Sequence, residues 1–508
     1  MANKQETILP SPPSEMEAKF YYAGLPSGPF LVARTVTTPW KVPTGPEAYQ
    51  RTRDLRVVGN HALKEVWEGN LALKLHALLD SMKVKWTSTD VIRIGYAKEG
   101  GIAPVILWIG VAPASLSGDD GVVHNIDDVD VEIRESVVTR SAGPRLLKPA
   151  SWCNLTAEIR EPLTATLGLP ICAESTPWAE GTGGFFITEG RDTKRLLLVT
   201  ARHVLFPTNQ NKHFERKNSS EPHHDVTLFG DTAFNEYLES IRAEIEGNAF
   251  MTHIHERDIK MVEGTGDPVT NVARQRCQRE LDRMRKAIEK LNTLYQEVST
   301  HWANPESRIL GHVILSPPMS CSEGYTEDWA VIEIDASKVD ASNFSGDAID
   351  LGTRVPRYKF TLMMDPNYQN ALLTGTIPDE EMRHPTALDQ NNDPCLMVMK
   401  RGNTTGLTVG RANVIFSYAR YYYGDNAETS KEWAILPFDS ESGAFSDKGD
   451  SGSVIVDSQG RIGGLLTGGT VGVMPSFDVS YATPISFLFK CMQDRGLHNP
   501  NVSPVLTA

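Results

Sequence analysis

The residues best suited to covalent chemistry lie in a glycine-rich run near the carboxyl end of the sequence, KGDSGSVIV at residues 448–456. Ser451 stands between glycines there and ahead of an apolar segment typical of a β-strand. A serine hydroxyl becomes a nucleophile when a neighbouring base removes its proton, and glycines let backbone N–H groups converge where an oxyanion forms. The run therefore predicts a nucleophile at Ser451, and a serine in a polar loop is the simpler alternative.

A base and a carboxylate that could serve Ser451 each stand at the boundary of a predicted strand. His203 follows the apolar run RLLLVTA, and Asp328 precedes the alternating run WAVIEI. An imidazole can accept the proton of a hydroxyl, and a carboxylate can orient that imidazole. Two alternatives stay open: His203 as an ordinary core histidine, and Glu333 or Asp335 as the carboxylate.

Composition limits the class of protein. The chain has 508 residues, which predicts two or three domains, and its net charge of −14 disfavours non-specific binding to nucleic acid or anionic lipid. The arginine-rich run RQRCQRELDRMRK contains acidic residues and fits a solvated helix surface. No segment reaches the ~18 apolar residues of a membrane span, and the polar, proline-rich start lacks the pattern of a secretory signal. We expect an intracellular, cytoplasmic protein with no membrane or nucleic-acid partner.

The cysteines and histidines give no sign of a metal or cofactor site. The six cysteines are scattered without a CxxC pair, and we expect free, buried thiols at Cys153, Cys172, Cys277, Cys321, Cys395 and Cys491. The runs HHD at residues 223–225 and HIHE at 253–256 lack the HExxH pattern of a zinc site. We expect no metal and no cofactor.

Local composition and apolar periodicity predict four parts of the chain. Residues 1–46 are rich in Pro, Gly and Thr and predict an extended arm. Residues 47–145 combine one amphipathic helical segment with strand-like runs, of which PVILWIGV is expected to be buried on both faces, and this predicts an α/β or α+β domain of unknown role. Residues 165–495 read as many short strands separated by turn residues, which predicts a mainly β domain.

Residues 231–302 interrupt the strand-like pattern with apolar residues at helical spacing. The run GTGDP at 264–268 divides this helical segment in two. The second half repeats apolar residues at spacings of four and three, at Cys277, Leu281, Met284, Ile288, Leu291, Tyr295 and Val298. We predict an antiparallel helical hairpin inserted into the first part of the β domain. Its apolar seam either packs the two helices together or recruits a partner protein, and the first of these is favoured.

Three of these motifs, in order, resemble those of the chymotrypsin-like serine peptidases. TARHV resembles their histidine motif, DWAVIEI their aspartate motif and GDSGS their serine motif. GTGGFFIT, KRGNTTGLTVGRAN and GGLLTGG are similar to further strands of that family. Without a disulfide framework, the chain looks closer to the intracellular and Deg-like members. Asp328 follows His203 by about 80 residues more than in the family template, and the helical insertion accounts for most of the excess.

This resemblance implies a double β-barrel over residues 165–495 and a Ser-His-Asp triad. It implies Ser451 as nucleophile, His203 as general base and Asp328 as the group that orients the imidazole. The N–H groups of Gly449 and Ser451 would form the oxyanion hole. The substrate would be a protein or peptide, and a partner protein could bind the amino-terminal domain or the helical hairpin.

The resemblance also places the substrate pocket. Phe445 stands where the family has the pocket floor, and Thr467, Gly468 and Gly469 stand where it has the wall, which predicts a preference for apolar or small side chains. No activation sequence of the family precedes GTGGFF. We therefore expect Asp450 to order the oxyanion turn by accepting hydrogen bonds within the fold. Two other functions stay open: a protease-fold binding module with little or no activity, and a serine esterase.

Overall fold

The protein, seen here in a computed structural model, is mainly β, with a closed six-stranded antiparallel barrel, a large second sheet and several helices. The structure describes residues 13–36, 38–41, 51–97, 101–116, 129–139, 154–160, 163–190, 195–207, 209–218, 221–261, 268–335, 337–339, 344, 347–349, 351, 375–423, 426–472, 476–502 and 504. Cys153 and most of the GTGDP break lie outside these residues. No helix among the described residues is long and apolar enough to cross a membrane.

The amino-terminal part packs short helices against one end of the large sheet. Its strands are β1 (Leu31–Arg34), β2 (Arg53–Arg56), β3 (Trp86–Tyr96), β4 (Val105–Val111), β5 (Asp130–Glu135) and β6 (Val137–Thr139). Its helices are α1 (Glu15–Phe20), α2 (Leu63–Val66) and α3 (Ala72–Ser81), with a π-helical turn at Trp67–Leu71. All residues of β4 are buried, because alternate side chains enter two different apolar clusters on opposite faces. The prediction that this run is buried on both faces is confirmed.

The barrel contains β9, which ends just before His203, and β15, which begins just after Asp328. The elements of this part of the chain are α4 (Ala157–Arg160), β7 (Leu169–Ala173), β8 (Glu180–Glu189), β9 (Leu197–Thr200), α5 (Arg202–Leu205), β10 (Phe214–Glu215), β11 (Asp225–Leu228), α6 (Asp231–Met261), α7 (Pro268–His301), a 3₁₀ turn (Pro305–Arg308), β12 (Ile309–Ser316), β13 (Ser320–Ser322), β14 (Tyr325–Glu327) and β15 (Ala330–Ile334). The ring order is β12-β11-β7-β8-β9-β15, and β15 pairs back with β12 to close it. A large cluster of buried apolar side chains fills the barrel.

The long helices α6 and α7 form a hairpin between β11 and β12. The two helices are antiparallel. Arg242 bonds to Tyr295 and Arg285 bonds to Glu256, so the contacting residues are closer in sequence nearer the connection between the helices. The buried apolar residues of α7 are Leu281, Ala287, Leu291, Leu294 and Val298. This buried stripe overlaps the predicted seam but shifts from it, because Met284, Ile288 and Tyr295 are only half-buried.

The carboxyl-terminal part forms the rest of the large sheet. Its elements are β16 (Gly375–Thr376), α8 (Asp379–Arg383), β17 (Leu396–Gly402), β18 (Gly406–Ala412), β19 (Ser417–Tyr423), β20 (Asn426–Pro437), β21 (Val454–Asp457), β22 (Arg461–Val471), β23 (Phe477–Pro484), α9 (Ile485–Asp494) and β24 (Pro500–Asn501). The Ser451 turn connects β20 to β21. The strands run β17, β18, β20, β23, β22 and β21 through successive pairings, and β20 also pairs with β19.

Two features of the amino-terminal part bear on its predicted organisation. Strand β3 pairs with β19 through Thr89 and Tyr418, so the predicted α/β domain and the carboxyl-terminal strands share one continuous sheet. The predicted extended arm contains α1 and β1, because the hydroxyls of Tyr21 and Tyr22 both bond to the buried carboxylate of Glu132 and draw the segment into the core.

Cys172, Cys277, Cys395 and Cys491 are free thiols. Cys172, Cys395 and Cys491 are buried, as expected. Cys277 and Cys321 are half-buried, so the expectation of buried thiols is wrong for those two. Burial raises the pKa of the Cys172 thiol to about 12, which makes it a poor nucleophile near neutral pH.

Candidate active site

His203 and Asp328 meet because the barrel strands that carry them are paired. Thr200 at the end of β9 lies opposite Ala330 at the start of β15. His203 follows Thr200 by three residues and Asp328 precedes Ala330 by two, so both lie just beyond this pair. His203 Nδ1 lies 2.6 Å from Asp328 Oδ2. The backbone N–H of His203 donates to Oδ1 of the same carboxylate at 3.1 Å. The carboxylate therefore fixes both the backbone and the ring of His203.

The short helix α5 holds His203 by means of its neighbour Arg202. Arg202 is 2% exposed, and its guanidinium donates to the backbone carbonyls of Gln210, Lys212 and Ser316. Burial lowers the pKa of Arg202, and the charge of Asp328 opposes that shift. Because a buried guanidinium needs such partners, these bonds tie the loop after α5 to the barrel and fix the start of the histidine's helix.

The Ser451 turn packs on the barrel through glycines of β8. The backbone N–H of Thr182 donates to the carbonyl of Ser451 at 2.8 Å. A Cβ added at Gly181 would lie 3.0 Å from that carbonyl, and one at Gly184 would lie 2.4 Å from the carbonyl of Gly452. Side chains at these two positions would therefore push the turn away, which explains why the run GTGGFF begins with glycines.

The same turn lies against the strand end that leads to His203. A Cβ added at Gly452 would lie 2.4 Å from Thr200 Oγ1 and 3.2 Å from the backbone nitrogen of Ala201. The hydroxyl of Ser451 donates to the carbonyl of Thr467 at 3.4 Å. Among the described residues Nε2 of His203 is buried and has no hydrogen-bond partner. The structure thus joins His203 to Asp328 and brings the Ser451 turn beside them, but no hydrogen bond links the Ser451 hydroxyl to Nε2.

The peptide planes that carry the two predicted oxyanion donors are each fixed through a carbonyl. The Lys448 carbonyl belongs to the peptide that carries the Gly449 N–H, and the hydroxyl of Thr404 donates to it. The Asp450 carbonyl belongs to the peptide that carries the Ser451 N–H, and Ser453 donates to it from its backbone at 3.0 Å and its hydroxyl at 2.6 Å. In a trans peptide the N–H points away from the carbonyl, so these bonds set the direction of both donors. Gly449 has a φ of +107°, which favours glycine.

Asp450 accepts hydrogen bonds within the fold. Its Oδ1 accepts from the backbone N–H groups of Thr404 and Thr405, and its Oδ2 accepts from the backbone of Asp447 at 2.9 Å and the hydroxyl of Thr405 at 2.7 Å. The Lys400 ammonium lies 3.1 Å from Oδ2, and both side chains are fully buried. Burial lowers the pKa of Lys400, and the charge of Asp450 opposes that shift. The loop at residues 402–405 and Lys400 together anchor the centre of the turn.

The predicted pocket residues lie on β22 and in the core beside it. Thr467 is fully buried and donates to the carbonyl of Tyr481 at 3.3 Å. Gly468 and Gly469 continue β22 and pair with β23. Phe445 is 1% exposed and packs so closely on Gly410 that a Cβ there would lie 2.6 Å from the ring. Phe445 is thus a core side chain.

Sequence reasoning missed Lys400, Thr404 and Thr182, which hold the turn. Lys400 could have been found from the sequence. It shares one strand face with Leu396 and Val398, and a charged residue on a buried face needs a partner. Thr404 carried a weaker signal within the quoted run KRGNTTG. Thr182, whose hydroxyl donates to the carbonyl of Gly449 at 2.8 Å, gave none.

The site contains no residue set suited to a metal ion. Among the described residues, no group of three or more His, Cys, Asp or Glu side chains is arranged to hold one. In comparisons with known proteins, no protein-family model matches this sequence, and no curated protein matches it.

Proposed function

We propose that this protein is a serine endopeptidase of the chymotrypsin-like type, with Ser451, His203 and Asp328 as its triad. The observation that carries the proposal is the buried contact between His203 Nδ1 and Asp328 Oδ2, 2.6 Å long, beside a glycine turn that bears a serine. An imidazole held in this way donates from Nδ1 and keeps Nε2 as the basic nitrogen. The closed six-stranded barrel beside a second sheet is compatible with a β-barrel protease.

In this mechanism Nε2 of His203 removes the proton of the Ser451 hydroxyl as Oγ attacks the carbonyl carbon of a peptide bond. Asp328 stabilises the imidazolium that forms. The N–H groups of Gly449 and Ser451 bind the oxyanion of the tetrahedral intermediate. His203 then gives its proton to the departing amine, and water hydrolyses the acyl-enzyme. Attack requires Ser451 Oγ to turn from the Thr467 carbonyl toward Nε2.

The side chains around the turn favour substrates with apolar or small residues before the cleaved bond. The predicted pocket floor is the apolar side chain of Phe445, whereas an acidic floor is what selects Arg or Lys. Gly468 and Gly469 leave the adjoining wall without side chains. Sequencing the products from a mixed peptide library checks this preference, and cleavage mainly after Arg or Lys would contradict it.

A fluorophosphonate probe tests the proposed function directly. It should label the wild-type chain at Ser451, and the Ser451→Ala variant should not be labelled. Labelling that persists at another residue in Ser451→Ala would contradict the triad. Absence of labelling in a folded wild-type chain would favour a non-catalytic binding module, which the burial of Ser451 to 1% exposure also fits. Comparing matched peptide and ester substrates separates a peptidase from an esterase.

A further inference from the structure

Strand β22 has one edge that continues past the candidate nucleophile. Strand β23 pairs with β22 from Gly464 to Val471 and occupies one of the two edges of β22 there. On the other edge β21 pairs only as far as Leu465. The Ser451 turn follows, since Leu466 exchanges backbone hydrogen bonds with Gly452 and Ser453. The stretch of this edge from Gly469 to Val471 therefore begins directly beside the turn.

The chain's own strand β6 occupies that stretch. Its register with β22 is antiparallel, with Thr139 opposite Gly469, Val138 opposite Thr470 and Val137 opposite Val471. The direction of β6 carries the backbone at Thr139 toward Thr467 and the Ser451 turn. A peptide that presents its carbonyl to Ser451 while pairing antiparallel with this edge would need the same backbone positions.

Strand β6 is held at its start by the amino-terminal part of the chain. The backbone N–H of Ser136 donates to the carbonyl of Val111 at 2.8 Å, and its hydroxyl lies 2.9 Å from Thr87 Oγ1. Two residues earlier, the buried guanidinium of Arg134 lies 3.2 Å from both Asp90 and Asp478. The last of these belongs to β23. Because buried ion pairs of this kind break at a high cost, the residues before β6 would stay anchored if β6 itself left the edge.

We infer that strand β6 acts in the free protein as an internal competitor for the edge of β22 at Gly469–Val471, along which an extended peptide substrate of Ser451 would lie. This inference rests on the proposed peptidase function. Strand addition to a free sheet edge is a general mode of peptide recognition, and a three-residue strand offers few bonds to resist exchange. Substrate must displace β6 to reach Ser451.

Backbone substitutions in β6 test this inference in the full-length chain. The double variant Val138→Pro/Thr139→Pro removes two neighbouring N–H groups, and since neighbouring N–H groups point to opposite edges of a strand, one of them faces β22. The matched control, Val138→Ala/Thr139→Ala, keeps both donors. Two rates are measured: kcat/KM for an eight-residue internally quenched peptide, and the rate at which a small fluorophosphonate labels Ser451.

The proline variant should raise kcat/KM for the extended peptide about tenfold, mainly through KM, which corresponds to an edge that is free in about a tenth of wild-type molecules. The labelling rate should change far less, and the alanine variant should behave as wild type. If wild-type Ser451 is labelled but the ratio of the two rates does not change in the proline variant, the inference is wrong and the peptidase stands. If wild-type Ser451 is not labelled at all, the proposed function fails first.

Hydrogen exchange on the wild-type chain gives a measurement that does not depend on a variant folding. The amides of residues 137–139 should exchange faster after a tripeptidyl phosphonate ester has reacted with Ser451, because its peptide part takes the edge. A small fluorophosphonate without a peptide part should leave their exchange unchanged and serves as the control. Unchanged protection after complete modification by the tripeptidyl compound would overturn the inference.

Discussion

The carboxylate of Asp328 contacts His203 at two points, the ring Nδ1 at 2.6 Å and the backbone N–H at 3.1 Å. Each contact uses a different carboxylate oxygen, so the carboxylate fixes the orientation of the ring relative to the backbone of His203. Both side chains are buried, which strengthens a charge-assisted hydrogen bond relative to water. The imidazole is therefore oriented before any substrate arrives.

Asp328→Asn should abolish most activity while the protein stays folded. The amide can still accept from the backbone N–H of His203, but its NH₂ group now faces Nδ1 and forces the proton to Nε2, so the ring cannot act as a base. We expect kcat to fall about 10⁴-fold, as for the same substitution in the template triad, with a smaller change in KM. Glu333→Gln, on β15, is the matched control. Activity within tenfold of wild type in Asp328→Asn would contradict the proposed role.

Lys400→Met should destabilise the protein and lower kcat together. The substitution leaves the Asp450 carboxylate buried without its ammonium partner, and breaking a buried ion pair costs about 3–5 kcal/mol. Urea unfolding measures the loss, and turnover of a peptide substrate measures the effect on the turn. Lys290→Met, on the exposed face of α7, controls for the loss of one charge.

A double-variant cycle separates the ion pair from general damage. Lys400→Met/Asp450→Asn removes both charges, so its loss of stability should be smaller than the sum of the two single losses by more than about 1 kcal/mol. Its turnover should stay low, because the NH₂ group that replaces Oδ2 of Asp450 cannot accept the hydrogen bonds from Asp447 and Thr405. Additive losses would show that Lys400 and Asp450 do not act as a pair.

Thr404→Val should reduce turnover with little effect on stability. The substitution keeps the shape of the side chain but removes the hydroxyl that holds the Lys448 carbonyl and so directs the Gly449 N–H. Loss of a complete oxyanion donor costs about 10²–10³-fold in kcat, and loosening one should cost less, about 10-fold. Thr404→Ser retains the hydroxyl and should recover most of kcat. A change in KM alone, with kcat unchanged, would argue against this positioning role.

Much of the candidate site could be predicted because its signals are local. His203, Asp328 and Ser451 each stand in a short run whose strand-and-turn pattern is visible without the rest of the fold. Lys400 could have been found from its place on a buried strand face. The pairing of β6 with β22, by contrast, joins residues more than three hundred positions apart, and a three-residue strand carries no pattern that selects a partner edge.

The amino-terminal part was harder to predict for the same reason. Tyr21 and Tyr22 stand in a segment rich in Pro, Gly and Thr, and the carboxylate that both hydroxyls bond to, Glu132, lies 111 and 110 positions away. The pairing of β3 with β19 likewise depends on two strands far apart in the chain. Propensity and periodicity describe each strand alone, whereas the choice between a separate domain and a shared sheet is made by these long-range pairs.

His76 should make the stability of the protein depend on pH. The side chain lies in α3, stacks on Trp86 with ring centroids 4.4 Å apart, and places Nε2 3.0 Å from Thr89 Oγ1. Burial lowers the pKa of His76 to about 4, the charge of Arg420 adds to this and that of Asp80 opposes it. In the unfolded chain the pKa is about 6.5, so between these values the unfolded state binds a proton that the folded state does not.

The free energy of unfolding should therefore fall as the pH is lowered from about 6.5 to about 4. The contribution of His76 to this fall is about 2 kcal/mol at pH 5 and at most about 3 kcal/mol at lower pH. His76→Phe keeps an aromatic ring against Trp86 and removes the titration, so the drop in free energy of unfolding between pH 7 and pH 5 should shrink by that amount. His253→Phe makes the same replacement at a side chain that is 81% exposed and serves as the matched control. Equal pH slopes for wild type and His76→Phe in urea unfolding would mean that His76 is not held neutral by the fold.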